Sequence, residues 1–240
     1  MSNSQLICYT KLSPNHSSGR NHKIDRITPH YMDGNGSIEM CGEIFASVSR
    51  RASSNYGIGS DGRIGMYVEE CNRAWTSGSY ANDNRAVTIE CANLADGSLT
   101  DACWASLVEL CADICKRNGI EKLVYTGDDT GNLTMHKWYQ STDCPGPWLS
   151  HEFDRLAREV NAILEKPIPP IIKGETPMTF LFTTNGEQSG KVFLYDGGRI
   201  LHVSGQEKEA ITEAYNKATE NKIPFFHQDG MSSLIARLGV

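Results

Sequence analysis

Ala86-Val-Thr-Ile-Glu-Cys-Ala92, followed by Thr100-Asp-Ala-Cys-Trp-Ala-Ser-Leu-Val-Glu-Leu-Cys-Ala-Asp-Ile-Cys-Lys-Arg-Asn-Gly119, sets the architecture of this chain. The first stretch is short, apolar and rich in β-branched residues, the pattern of a buried strand. In the second, Trp104, Leu107, Val108, Cys111, Ile114 and Cys115 recur at helical spacing, with Thr100 as a cap at the start and Gly119 as a stop. Ile120–Tyr125 then reads as a further strand, and Ser150 opens a last helix carrying Phe153, Leu156, Val160, Ile163 and Leu164.

Working back from Ala86, residues 5–11 and 24–30 read as strands, and Pro29, which has no N–H to donate, suits an edge. Residues 37–48 place Ile38, Cys41, Ile44, Phe45 and Val48 on one helical face. Tyr56–Gly59 and Arg63–Val68 form a hairpin across an Asp61-Gly62 turn. Strands alternating with helices predict an α/β domain built on one central sheet over residues 1–165. Residues 166–177 hold four prolines and predict a stiff, extended linker. Residues 178–240 predict a small α+β domain: a meander over 179–184, 191–196 and 199–204, a helix over 206–221, then Ile223-Pro-Phe-Phe226 and a short terminal helix.

Composition excludes several classes. The 240 residues carry a net charge of −6 with no basic stripe, which argues against nucleic acid as a partner. No apolar run reaches the roughly 20 residues of a membrane span. The N-terminus lacks the basic and apolar regions of a secretion signal, so the chain is expected to stay in the cytoplasm until something releases it. In that setting most of the eight scattered cysteines are expected to be reduced core thiols.

The chemistry concentrates in His136-Lys-Trp-Tyr-Gln-Ser-Thr-Asp-Cys-Pro-Gly146. A histidine and a cysteine eight apart in one loop can converge on a metal, and His30 at a strand end is a natural third ligand. The spacing equally allows Cys144 to act as a nucleophile with His136 as its base. Among the tryptophans that could stack on a sugar ring, Trp138 lies beside the candidate ligand loop, ahead of Trp75 and Trp148.

The series Ile27-Thr-Pro-His30, Tyr56-Gly-Ile-Gly59, Asn84-Arg-Ala-Val-Thr-Ile-Glu90 and Thr142-Asp-Cys-Pro-Gly146 resembles, in order over residues 5–165, the N-acetylmuramoyl-L-alanine amidases. These include phage endolysins and the peptidoglycan recognition proteins. The resemblance implies a central mixed β-sheet flanked by helices, and zinc held by His30, His136 and Cys144. It further implies Tyr56 and Thr142 beside the developing oxyanion. Glu90 matches a catalytic glutamate and would act as general base, or would only hold a neighbouring loop. The implied activity is zinc-dependent hydrolysis of the muramoyl–L-alanine amide of bacterial peptidoglycan by a phage-type endolysin, with residues 178–240 binding a wall polymer. Two other readings are a non-catalytic wall-binding module and a cytosolic amidase that recycles muropeptides.

Overall fold

A computed structural model describes residues 3–165, 179–184, 192–196, 199–203, 208–209, 211–213 and 225–228. The chain divides into two compact units, Met1–Lys166 and Pro167–Val240.

The first unit carries strands β1 (Tyr9–Thr10), β2 (His16–Ser17), β3 (Arg26–Tyr31), β4 (Tyr56–Ile58), β5 (Ile64–Met66), β6 (Arg73–Ala74) and β7 (Ala86–Cys91). Its helices are α1 (Ile38–Ala46), α2 (Tyr80–Arg85), α3 (Asp101–Asn118) and α4 (Pro147–Leu164). Five strands make one sheet in the order β1-β5-β4-β7-β3, and β2 pairs with β6 apart from it. Only the β4–β5 hairpin is antiparallel; β1–β5, β4–β7 and β7–β3 are parallel, so the sheet is mixed. β3 is one of the two edge strands of this sheet. The Ile27 N–H points outward to the Asn132 carbonyl, and Pro29 shares that direction, so its missing donor falls away from β7.

Residues 120–125 are not a strand. The Asn161 side chain bonds both N–H and C=O of Leu123, while Asn132 bonds the Val124 N–H and the Lys122 carbonyl. Side-chain amides thus occupy the backbone groups that a neighbouring strand would need. α3 begins and ends where its cap residues predict: Thr100 accepts from Cys103 N, and Gly119, at φ +67°, donates to the Cys115 carbonyl. α4 starts three residues before Ser150, with Pro147 in its first turn. On α1, Cys41 and Phe45 face inward, whereas Ile44 is exposed, as is Val48 just past the helix, so the apolar face is narrower than its spacing predicts.

The two faces of the sheet differ in chemistry. Tyr56, Ile58, Val87, Ile89 and Cys91 point to one side and pack against Leu107, Leu110 and Ile114 of α3 and Phe153, Leu156 and Val160 of α4. The alternate residues Thr28, His30, Thr88 and Glu90 point to the other side. There Tyr67 lies against Gly57, where an added Cβ would come within 2.7 Å of the ring; a side chain at position 57 would displace it.

One polar knot lies within the apolar region. Glu70, fully buried, receives both terminal nitrogens of Arg117 at 2.9 and 2.7 Å and the Tyr56 hydroxyl at 2.6 Å. Removing either charged member strips its buried partner of two charge-assisted hydrogen bonds, which costs about 3–5 kcal/mol.

The second unit holds β8 (Thr179–Thr184), β9 (Val192–Asp196) and β10 (Arg199–Val203) as an antiparallel meander. β11 (Phe225–Gln228) adds a fourth strand parallel to β8, where the sequence suggested no strand. Residues 208–209 and 211–213 are helical, within the helix expected over 206–221. The proline-rich linker of residues 166–177 and the terminal helix lie outside the described residues.

Glu70→Ala is expected to destabilise the first unit by about 3–5 kcal/mol, lowering its melting temperature by roughly 10 °C in calorimetry.

Candidate metal centre

β3 and β7 run in parallel with His30 directly beside Glu90, and this pairing sets one wall of the site. The loop after Leu133 supplies the other. His136 opens a 3-10 turn, His136–Trp138, and the Lys137 N–H donates to the Cys144 carbonyl at 3.0 Å, folding the loop back on itself. Gly146, at φ +83°, lies under the Tyr31 ring, only 3.0 Å from where a Cβ would stand. The Thr142 hydroxyl accepts the Cys144 N–H at 3.2 Å, which orients the thiol segment.

The result is a cluster of three donors. One ligand atom each from His30, His136 and Cys144 lies within 4.8 Å of the others. The Cys144 sulfur stands 3.2 Å from His30 Nδ1, and the two imidazole rings are 4.8 Å apart. Tetrahedral zinc with N and S ligands needs donor separations of about 3.3–3.6 Å, so a shift of about 1 Å at the widest pair suffices. His30 Nε2 is buried with no hydrogen-bond partner, an arrangement costly unless a further group satisfies it. Two imidazoles and a thiol, with no fourth protein donor in the cluster among the described residues, fit a zinc site that keeps one position open.

Burial dominates the electrostatics. It holds the His30 imidazole well below its usual pKa, with His136 adding to the effect, so the ring is neutral and its lone pair available. Burial pushes the Cys144 thiol up to about 12, helped by the nearby Glu90. A divalent cation reverses that preference, because a coordinating thiol gives up its proton. Glu90 is pushed up to about 8 by desolvation, with Arg50 opposing.

The donors stand in a cleft of about 520 Å³ that Glu90, Thr142, Arg50, Gln140 and Trp75 also line. Of the six candidate ligands and catalytic residues read from sequence, five meet here: His30, Glu90, His136, Thr142 and Cys144. Tyr56 does not. Strand alternation turns it to the α3 face, opposite His30 and Glu90, where it is fully buried with its hydroxyl on Glu70. The expectation that Tyr56 serves an oxyanion is therefore corrected to a structural role. Trp138 stacks on Tyr125 and packs on the core, and Trp148 packs edge-on against Trp104. Trp75 lines the cleft instead, with its indole N–H on Ser17.

Sequence reasoning missed Gln140 and Arg50. Gln140 lies four residues after His136 and bonds its Nε2 at 3.0 Å, a contact that the spacing could have suggested. Nothing local distinguishes Arg50 from its neighbour Arg51.

Comparison with known proteins bears on this site. The family profile described as N-acetylmuramoyl-L-alanine amidase matches residues 20–147, just over half of the chain. No curated protein sequence matches. Among solved structures, a mutant of PlyL aligns over 64% of this chain and 98% of its own, with TM-score 0.51 and 11% identity. PlyL itself covers 63% of this chain and 95% of its own, with TM-score 0.50 and 13% identity. The endolysin N-acetylmuramoyl-L-alanine amidase LysCS from Clostridium intestinale URNW aligns over 62% of this chain and 91% of its own at 21% identity, with TM-score 0.46. The two PlyL structures share with this chain a mixed sheet flanked by helices; at these identities the likeness is one of fold.

Tyr56→Phe is expected to cost about 1–3 kcal/mol by leaving a buried carboxylate oxygen short of a donor. Urea unfolding should register that loss while zinc affinity, measured by competition with a chromogenic chelator, stays unchanged.

Proposed function

The chain belongs to the N-acetylmuramoyl-L-alanine amidase family, and from that membership we propose that it hydrolyses the muramoyl–L-alanine amide of bacterial peptidoglycan as a zinc enzyme. The observation that carries this reading is the convergence of His30, His136 and Cys144 in an open cleft, with a buried imidazole nitrogen lacking any partner.

The proposed division of labour follows from the geometry. His30, His136 and Cys144 hold the metal. Bound zinc supplies Lewis acidity, making water nucleophilic near neutral pH and polarising the amide carbonyl. Glu90, with its proton affinity raised into the neutral range, takes a proton from the attacking water and passes it to the departing alanine nitrogen. Thr142 already accepts the Cys144 N–H, which leaves its own hydroxyl proton free to donate to the developing oxyanion. Gln140 fixes the His136 ring by its side-chain oxygen.

We read the whole chain as a phage-type endolysin. The catalytic unit would be followed by a wall-polymer-binding unit in residues 178–240, with the protein held in the host cytoplasm until release to the wall. A second binding unit raises the enzyme's effective concentration on an insoluble substrate.

Two experiments test this. Purified peptidoglycan is digested with and without a zinc chelator, and the products are identified by mass spectrometry. Free L-alanine amino-termini on intact glycan are expected, lost on chelation and in Cys144→Ala, whose circular dichroism stays native. Cleavage that survives both treatments would reject the metal mechanism, and cleavage surviving chelation alone would instead favour Cys144 as a nucleophile. Deleting residues 178–240 should weaken sedimentation with whole walls far more than cleavage of soluble muropeptides; equal losses would reject the anchoring role.

A further inference from the structure

A buried threonine stands two residues before each histidine of the donor cluster. Thr28 precedes His30 on β3 and Thr134 precedes His136, and both threonines are fully shielded from solvent. The segment leading to His136 runs along the outer edge of β3. There the Ile27 N–H donates to the Asn132 carbonyl at 2.8 Å, the Thr134 N–H donates to the Ile27 carbonyl at 3.0 Å, and Leu133 pairs with Ile27 in parallel sense. Met135 is extended, so Thr134 and His136 share one side of their segment, as Thr28 and His30 share one face of β3. The two threonine hydroxyls meet at 2.8 Å, one rung below the two imidazole rings, which are 4.8 Å apart.

Asn82 closes this rung from α2. Its backbone is held at both ends, the N–H on the Ser79 hydroxyl at 3.2 Å and the carbonyl under the Ala86 N–H, and the residue is buried. Arg26 Nη1 reaches one side-chain atom of Asn82 at 3.4 Å, and because arginine only donates, that atom is the amide oxygen. The amide nitrogen then donates to the Thr28 hydroxyl at 3.0 Å and, with its second hydrogen, to the Ser77 hydroxyl at 3.4 Å. With its oxygen accepting from Asn82, Thr28 donates to Thr134, and Thr134 donates back to the Asn82 oxygen at 3.4 Å. Three side chains thus form a closed ring of hydrogen bonds running in one sense, in which each bond polarises the next.

We propose that Asn82 is a positioning residue for the metal centre: through Thr28 and Thr134 it fixes the separation of His30 and His136, and so the affinity and geometry of the bound ion. This assignment rests on the metal reading above. The need for such a device follows from the topology. One histidine comes from a strand and the other from a loop, and the threonines below them are 106 residues apart in the chain. The β3–β7 ladder fixes His30 but does not reach the loop of His136. A tetrahedral ion tolerates errors of only about 0.5 Å in its donors, so the two segments have to be tied to each other close to the site. Gln140 orients the His136 ring, whereas the ring of Asn82, Thr28 and Thr134 sets where its backbone stands.

The test uses the full-length protein. Zinc affinity is measured by competition with a chromogenic chelator, and the cobalt(II)-loaded protein is read by its visible absorption, whose intensity reports tetrahedral geometry. Asn82→Ala should weaken zinc binding by about tenfold and diminish the cobalt bands. Thr28→Val should do the same, Thr28→Ser, which keeps the hydroxyl, should bind as the wild type does, and adding Thr134→Val to Thr28→Val should cost little more, because the ring is already open. Tyr56→Phe is the control: it lowers stability away from the site and should leave affinity and spectrum unchanged. Wild-type affinity and bands in Asn82→Ala, or an equal fall in Tyr56→Phe, would overturn the assignment of Asn82 alone. Should Asn82→Ala not fold, the threonine variants decide, and wild-type zinc affinity in Thr28→Val would reject it. A wild type that binds no zinc would sink the metal reading, and the Asn82 assignment with it.

Discussion

β3 lies in strict parallel register against β7 for six residues, Arg26–Tyr31 beside Ala86–Cys91, and much of the molecule hangs on that pairing. It sets Ile27 beside Val87 for the apolar core and His30 beside Glu90 for the cleft. Because strand side chains alternate, a slip of one residue would bury His30 against α3 and turn Pro29 to the site. The pairing is held from both sides: α3 and α4 cover the apolar face, and the Thr28 and Thr88 hydroxyls join Thr134 and Thr76 on the other. Stability and site geometry thus share one determinant.

The polar face also explains the electrostatics of the cleft. An imidazole, a carboxyl and a thiol that would be ordinary at a surface are here desolvated together, and each favours its neutral form. Such a site is costly to build without an ion and readily accepts one, since a dication compensates all three groups at once. Glu70 and Arg117 answer the same problem elsewhere by pairing, so their charges need no ligand. The contrast marks the difference between a buried charge that holds the fold together and a buried donor set left open for chemistry.

Much was readable in one dimension, where the information is local. The period of Trp104–Cys115 and its caps define α3 to the residue, and the Asp61-Gly62 turn defines the β4–β5 hairpin. The family resemblance in Thr142–Gly146 singled out Cys144, His136 and His30, which meet in space. Local pattern failed where remote groups intervene. Ile120–Tyr125 has a strand's composition, but its backbone hydrogen bonds go to the side chains of Asn132, in the loop that follows, and of Asn161, 38 residues from Leu123.

Composition and period determined that this chain makes an α/β unit with a helix-covered sheet, and the motif determined which donors could hold a metal. Only the tertiary structure decided which side of the sheet each residue faces. That choice sent Tyr56 to the core with Glu70 and brought Trp75 in place of Trp138 to the cleft. The physical reason is that alternation fixes only which residues share a face. Which face becomes core and which becomes site depends on where α3, α4 and the His136–Cys144 loop pack, and that is settled by contacts distant in sequence.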